Sequence, residues 1–324
     1  MPMTDIAARE IQSIQAVEAN NKNIVLLVTQ RNASRPLVVK SEDGAGRNNV
    51  GAMLEFHASA FSKLRSLPFE TTKLTLKEIE ELKRVDPAKV KATPPLTQQQ
   101  WLQKIDVLLK NSEGKIKTAI KVSFVEELAN LHGMAKDLQK KKELADALSR
   151  GNLDIPFGLG EILAVDFFIG NGDRFRDVNT KSFKRGSILG DQNVFFQMKG
   201  GKITTVGLDT YDGAGFWSDL NRTIEDLEVA NKQQQGPEYG YWPGRILAPG
   251  AQRERDEAAT ALVDSLIVLS GATVSSSIRR KLIKACHSGI SSGKTILRGK
   301  YKLGDNVQAL SAGIRSRWLI IRGK

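Results

Sequence analysis

Residues 159–174 read Leu159-Gly-Glu-Ile-Leu-Ala-Val-Asp-Phe-Phe-Ile-Gly-Asn-Gly-Asp-Arg174. The stretch 158–170 is apolar, flanked by glycines and long enough for a helix, and its apolar residues are not confined to one stripe, so it predicts a buried helix. It runs directly into Asn171-Gly-Asp173-Arg174. A polar loop follows, and Gly190-Asp-Gln-Asn193-Val-Phe-Phe196 then reads as a loop entering a strand. Gly200-Gly201 is a hairpin signal, and 203–208 is the return strand, ending at Asp209. Asp173, Asn193 and Asp209 thus each stand at the edge of a regular element. Asp166, inside the helix, is expected to face backbone or Arg174, with bracing of the loop as the alternative role.

This arrangement has a chemical reading. Phosphoryl transfer needs an acceptor oriented by a carboxylate and oxygen ligands that hold magnesium on the nucleotide phosphates. Magnesium takes carboxylate and amide oxygens and keeps several waters. An Asp after a buried helix (Asp173), an Asn entering a hairpin (Asn193) and an Asp leaving it (Asp209) supply those parts.

Upstream, residues 11–18 alternate apolar and polar, 20–23 is a polar turn, 24–29 (IVLLVT) is a short β-rich run, and 37–40 is a third strand. The expectation is a three-stranded meander. Residues 48–66 switch to helical spacing through Val50, Met53, Leu54, Ala58, Phe61 and Leu64, and Pro68 stops the run. Lys40, at a strand end, is placed to meet phosphate, with Glu55 on the next helix as its partner and Glu42 as a competitor for that role. Further on, 71–76 reads as a strand, 77–85 as a charged helix and 93–95 as a loop. Thr97 caps a helix through Trp101, Ile105 and Leu109, 116–125 is a strand, and 134–149 is a helix closed by Gly151-Asn152. Residues 256–269 read as a core helix of the larger part of the chain, with acids in its first turn.

The segment 159–174 resembles the catalytic loop of atypical kinases, most closely the actin-fragmin kinase type with its Asn-x-Asp-Arg. Phosphoinositide kinases, HipA-type toxin kinases and secretory-pathway kinases share the wider pattern. The resemblance is specific over about 55 residues and weaker over 11–67. It implies an α+β, two-lobed protein-kinase-like fold: an N-lobe over 1–126 with an insertion near 77–114, and a mainly helical C-lobe over 127–324. It implies ATP with Mg²⁺ (or Mn²⁺) as cofactors. Asp173 would be the catalytic aspartate, Asn193 and Asp209 the metal ligands, Lys40 the ATP-binding lysine and Glu55 its partner. Backbone around Glu126–Leu128 would meet adenine. The activity implied is phosphorylation of a protein hydroxyl. The alternatives are a phosphoinositide kinase, a non-catalytic kinase-like scaffold, or a transferase moving another group such as AMP. The sequence departs from the pattern in places. No glycine lies in 20–23, no His-Arg-Asp is present, Thr210-Tyr211 follows Asp209, and Phe175 stands where HipA-type loops place His. Regulation by phosphorylation of an activation segment is therefore not implied.

Composition bounds the rest. The chain has 324 residues, net charge +12, 40% hydrophobic residues and one cysteine. That is a globular composition with no intramolecular disulfide. No apolar stretch is long enough to span a membrane, and the start shows no secretory pattern, so the expected location is cytoplasmic, or a host cytosol if the protein is delivered there. Three His and one Cys make a Cys/His zinc site unexpected. His57, His132 and His287 lie in no visible catalytic constellation, and Cys286 reads as a packed thiol. The basicity is local. Residues 279–324 hold twelve Lys and Arg against one acid, +11, and the other 278 residues carry +1. That end is expected either to be a solvated helix or to dock on an anionic membrane or an acidic protein. No nucleic-acid module is visible. Ser291-Ser-Gly-Lys-Thr295 is not a P-loop, because Ser288 stands where its first glycine belongs. Tyr239-Gly-Tyr-Trp-Pro243 reads as an apolar loop, a plug or a substrate platform.

Overall fold

The structure is a computed structural model. It describes residues 3–19, 23–42, 63–67, 69–110, 114, 117–169, 174, 193–208, 246–299 and 321–322. The fold is α+β, and the chain forms two compact units, Met1–Ala58 with Phe69–Val125, and Ser59–Pro68 with Glu126–Lys324.

The first unit is built on a mixed six-stranded sheet. Its strands are β1 (Ile11–Ala19), β2 (Asn23–Gln30), β3 (Leu37–Glu42), β4 (Thr71–Lys73), β5 (Val90–Lys91) and β6 (Thr118–Ser123). Their order is β4-β6-β3-β2-β1-β5. All neighbours are antiparallel except β1 and β5. The meander β1-β2-β3 forms because side chains alternate between faces along each strand. Ile24, Leu26 and Val28 point one way with Leu37 and Val39, and all are buried. The interior strand β6 buries Ala119, Ile120, Lys121 and Val122 in succession, so side chains on both its faces are buried.

Helices α1 (Leu76–Lys83) and α2 (Gln98–Leu109) complete this core. Each begins with a reciprocal capping box, Thr75 with Glu78 and Thr97 with Gln100. The cap at Thr75 is also why β4 ends at Lys73 rather than at 76. Along α2, Trp101, Ile105 and Leu108 turn inward, and the Trp101 indole donates to the Leu82 carbonyl at 2.8 Å. The segment read as an insertion near 77–114 therefore supplies core to the sheet. The helix expected over 48–66 lies outside the described residues up to 62.

The second unit centres on α5 (Asp154–Ile169). Ile155, Leu159, Ile162, Leu163, Ala164, Val165, Phe167 and Phe168 are all fully buried, as an all-round apolar helix must be. Beside it lies a three-stranded antiparallel sheet in the order β7-β8-β9, with β7 Leu128–Asn130, β8 Phe195–Lys199 and β9 Lys202–Val206. Gly200 and Gly201 both take positive φ, 59° and 73°, as a two-residue I′ hairpin turn requires. The expected helix 134–149 is two helices, α3 (Leu131–Met134) and α4 (Leu138–Ser149). The break comes because Asp137 caps α4, accepting from the Lys140 N–H.

Two long helices close the unit, α6 (Gln252–Ser270) and α7 (Ser276–Arg298). α7 packs along α5 at backbone distance. A Cβ on Gly160 would collide with the Cys286 carbonyl, one on Gly289 with the Phe157 carbonyl, and one on Gly293 with Ala164. Leu282, Cys286, Ile290 and Leu297 of α7 are fully buried. The basic terminal helix is thus part of the core rather than a solvated appendage. Ser291–Thr295 lies inside it, which leaves no room for a phosphate loop. Among the described residues no helix is long and apolar enough to cross a membrane.

Candidate functional site

Among the described residues at the predicted catalytic loop, Arg174 and Asp166 form the best-defined contact. The Arg174 side chain is buried, 1% exposed, and so is that of Asp166, at 0%. The guanidinium Nη1 donates to both Asp166 carboxylate oxygens at 2.9 and 2.7 Å. Its Nε donates to the main-chain carbonyl of Asn193 at 2.8 Å, and Nη2 donates to the carbonyl of Leu208. One planar cation thus ties the end of α5 to the residue entering β8 and to the residue leaving β9. Arginine suits this task because its donors form a rigid fork, which a lysine ammonium cannot reproduce. In the sequence Arg174 follows Asp173, and Leu208 precedes Asp209. Asp173 and Asp209 themselves lie outside the described residues. The expectation that Asp166 faces Arg174 is met.

Lys40 lies on β3 with Ile120 directly across on β6. Alternation sets it on the face opposite Val39 and Lys121. That face also carries Leu27 and Val38, which pair across β2 and β3, and Val122, which pairs with Val38. Lys40, Leu27 and Val38 are half-buried, so this face presents a cation at the margin of an aliphatic surface. Glu55, its proposed partner, is outside the described residues, as are His57 and 239–243.

Around Glu126–Leu128, where adenine contacts are expected, two carbonyls are already engaged within the second unit. Glu126 accepts from the Gln197 side chain at 3.2 Å, and Glu127 from the Met198 N–H at 2.9 Å. Leu128 pairs with Gln197 as the first residue of β7. The Glu126 carboxylate is held by Lys199 at 2.6 Å. Glu127 adopts a left-handed φ of 54°, a strained choice for a non-glycine residue.

Three buried ionisable groups, Lys121, Glu78 and Glu161, went unread in the sequence. Lys121 and Glu78 form an ion pair at 2.6 Å inside the first unit, with side chains 6% and 3% exposed. Burial alone would raise the Glu78 carboxyl. Lys121, together with the N–H groups of Thr75 and Ile6, holds it below its ordinary range. Lys121 also donates to the Thr4 carbonyl and to Asp5, pinning the N-terminal segment. In the second unit, Glu161 accepts from the Ser66 N–H and hydroxyl and from the Ser292 hydroxyl, each at 3.1 Å. Burial pushes its carboxyl up. The signal for Glu161 was available, since a carboxylate inside an apolar helix run needs partners. The signal for Lys121 was its place between Ile120 and Val122 in a strand.

In the basic C-terminal segment, Arg279 is committed to Asp264 through two bonds of 2.7 Å. Lys294 donates to the Ala248 carbonyl, and burial together with Arg255 and Arg298 brings its ammonium down to about 8. Arg280, Lys281, Lys284 and Arg298 are exposed. Residues 300–320 are outside the described residues. His287 sits against Asp256 at 3.6 Å, and burial lowers its imidazole. Cys286 is a buried thiol, as read from the sequence. No family model, curated protein or solved structure matches the chain.

Proposed function

We infer that the chain is an ATP- and magnesium-dependent phosphotransferase acting on a protein hydroxyl, with each compact unit serving as one lobe of a kinase-like fold. The observation that carries this reading is the Arg174 clamp. The reaction needs the chain near 173, 193 and 209 to meet at one phosphate-bearing site. The guanidinium next in sequence to Asp173 binds the carbonyl of Asn193 and the carbonyl preceding Asp209.

The donor chemistry fits the proposed cofactors. Asn193 and Asp209 offer carboxamide and carboxylate oxygens, the hard donors magnesium takes, with no thiolate or imidazole in the set. Bound there, the metal would neutralise charge building on the phosphates. The aliphatic face around Lys40 offers apolar surface to a purine and an ammonium to its phosphates. Asp173 orients the acceptor hydroxyl. As the acceptor oxygen forms its bond to the terminal phosphorus, the bond to the ADP oxygen breaks and the proton passes to the Asp173 carboxylate. Catalysis is then mostly positioning and charge stabilisation.

The test is transfer of labelled γ-phosphate from ATP to proteins of a cell lysate by wild type, Asp173→Ala and Asp209→Ala. Both variants are expected to lose at least about 10²-fold in rate. Equal labelling by all three would overturn the reading, and label recovered in the lipid extract instead would identify a lipid acceptor.

A further inference from the structure

A cavity of about 560 Å³ opens on the second unit, and neither Arg174 nor any residue assigned above to phosphotransfer lines it. Its walls are the segment carrying Arg65, the first turns of α5 and the β8–β9 hairpin. Arg65, Lys199 and Lys202 bring three cations to it, and Asp154 is the one carboxylate in its lining. Asp154 lies 3.6 Å from Lys202, and Lys199 reaches out to Glu126. Arg65 has no carboxylate partner among the described residues. Its guanidinium sits over the Phe157 ring, 5.2 Å from the centroid. That cation–π contact holds the group in place, and among the described residues no side chain takes its guanidinium donors.

The frame is built rather than loose. Ser66, beside Arg65, is fixed by its two bonds to buried Glu161. The wall at Gly158 lies against Thr205, where an added Cβ would sit 3.1 Å from the Thr205 Cβ. The Thr205 hydroxyl is spent on the Ile155 carbonyl at 2.7 Å. Thr204, the preceding residue, also lines the cavity. The volume is that of a site for a mononucleotide-sized molecule. An arginine with no carboxylate partner among the described residues, two further cations and an aromatic wall select an anion rich in acceptor oxygens.

We propose that this cavity is a binding site for a small soluble phosphorylated molecule, recognised by Arg65, Lys199 and Lys202. The site stands independently of the phosphotransfer reading, since none of its residues serves that chemistry.

The experiment is lysine footprinting. The full chain is acylated in magnesium-free buffer, and each lysine is read by mass spectrometry with inorganic pyrophosphate, AMP or adenosine present. At ten times the dissociation constant, pyrophosphate and AMP are expected to slow labelling of Lys199 and Lys202 by about tenfold, and adenosine is not. Arg65→Gln, an exposed position whose variant should melt as wild type, is expected to weaken affinity by roughly 10- to 100-fold, so that at the same concentration protection falls to about twofold or less. Three results would overturn the proposal. These are no protection by either phosphate, equal protection by adenosine, or unchanged protection in Arg65→Gln. Lys40 is read in the same digest with ATP, so failure of the nucleotide site registers separately from failure of this one.

Discussion

Replacing Arg174 by Met should destabilise the second unit far more than an ordinary substitution does. The side chain keeps an unbranched apolar stem and loses its charge and every donor. Asp166, at zero exposure, then loses the guanidinium that neutralises it, and the carbonyls of Asn193 and Leu208 lose their tie. Breaking a buried pair from one side costs about 3–5 kcal/mol, because a charge is stranded in a low-dielectric interior. With a urea dependence of about 2–3 kcal/mol per molar, the midpoint should fall by roughly 1–2 M. Hydrogen exchange read on peptides from 154–169 localises the effect, and their protection should drop by roughly 10²- to 10⁴-fold. The double variant Asp166→Leu, Arg174→Met replaces the pair by apolar groups and should recover most of the stability. It should not recover phosphate transfer, since Asn193 and Leu208 then lose the donor that ties them to the end of α5. If Arg174→Met unfolds within about 1 kcal/mol of wild type, as loss of a surface pair would, the guanidinium does not organise this site.

Other consequences can be measured as directly. Gly289→Ala and Gly160→Ala should each destabilise by about 1–3 kcal/mol or more in thermal melts, because the new methyl meets backbone across the α5–α7 contact. Helix propensity alone predicts the opposite sign, a gain of about 1 kcal/mol. The raised Glu161 carboxyl binds its proton more tightly folded than unfolded, so between the ordinary value near ~4.3 and the raised one the folded state holds the extra proton. Stability should therefore fall as pH rises through that window and level off above it. Urea midpoints of Glu161→Gln across the same range should lack that slope. Burial pushes the Cys286 thiol up, so native protein should resist a thiol reagent that labels the unfolded chain at once. Deleting 279–324 removes α7 from the core and should abolish folding of the second unit, which exchange on 154–169 would register.

Much of this protein was legible from local pattern. The meander 11–41, the cap at Thr97, the hairpin at Gly200-Gly201, the buried helix and the Asp166–Arg174 pair all follow from periodicity, caps and turn chemistry acting over a few residues. The break at Asp137 was missed because a capping aspartate between two helical runs leaves their period undisturbed. What the tertiary structure decided are contacts between residues far apart in the chain. Lys121 meets Glu78 across 43 residues, and Ser66 meets Glu161 across 95. Glycines of α5 and α7 bring two helices to backbone contact, turning a strongly basic segment into core. No local propensity encodes such pairings, because each is selected by the burial of distant partners together. The amino-acid sequence by itself determined which residues carry the chemistry of Arg174. Only the fold decided that one guanidinium would tie the end of α5 to the carbonyls of Asn193 and Leu208.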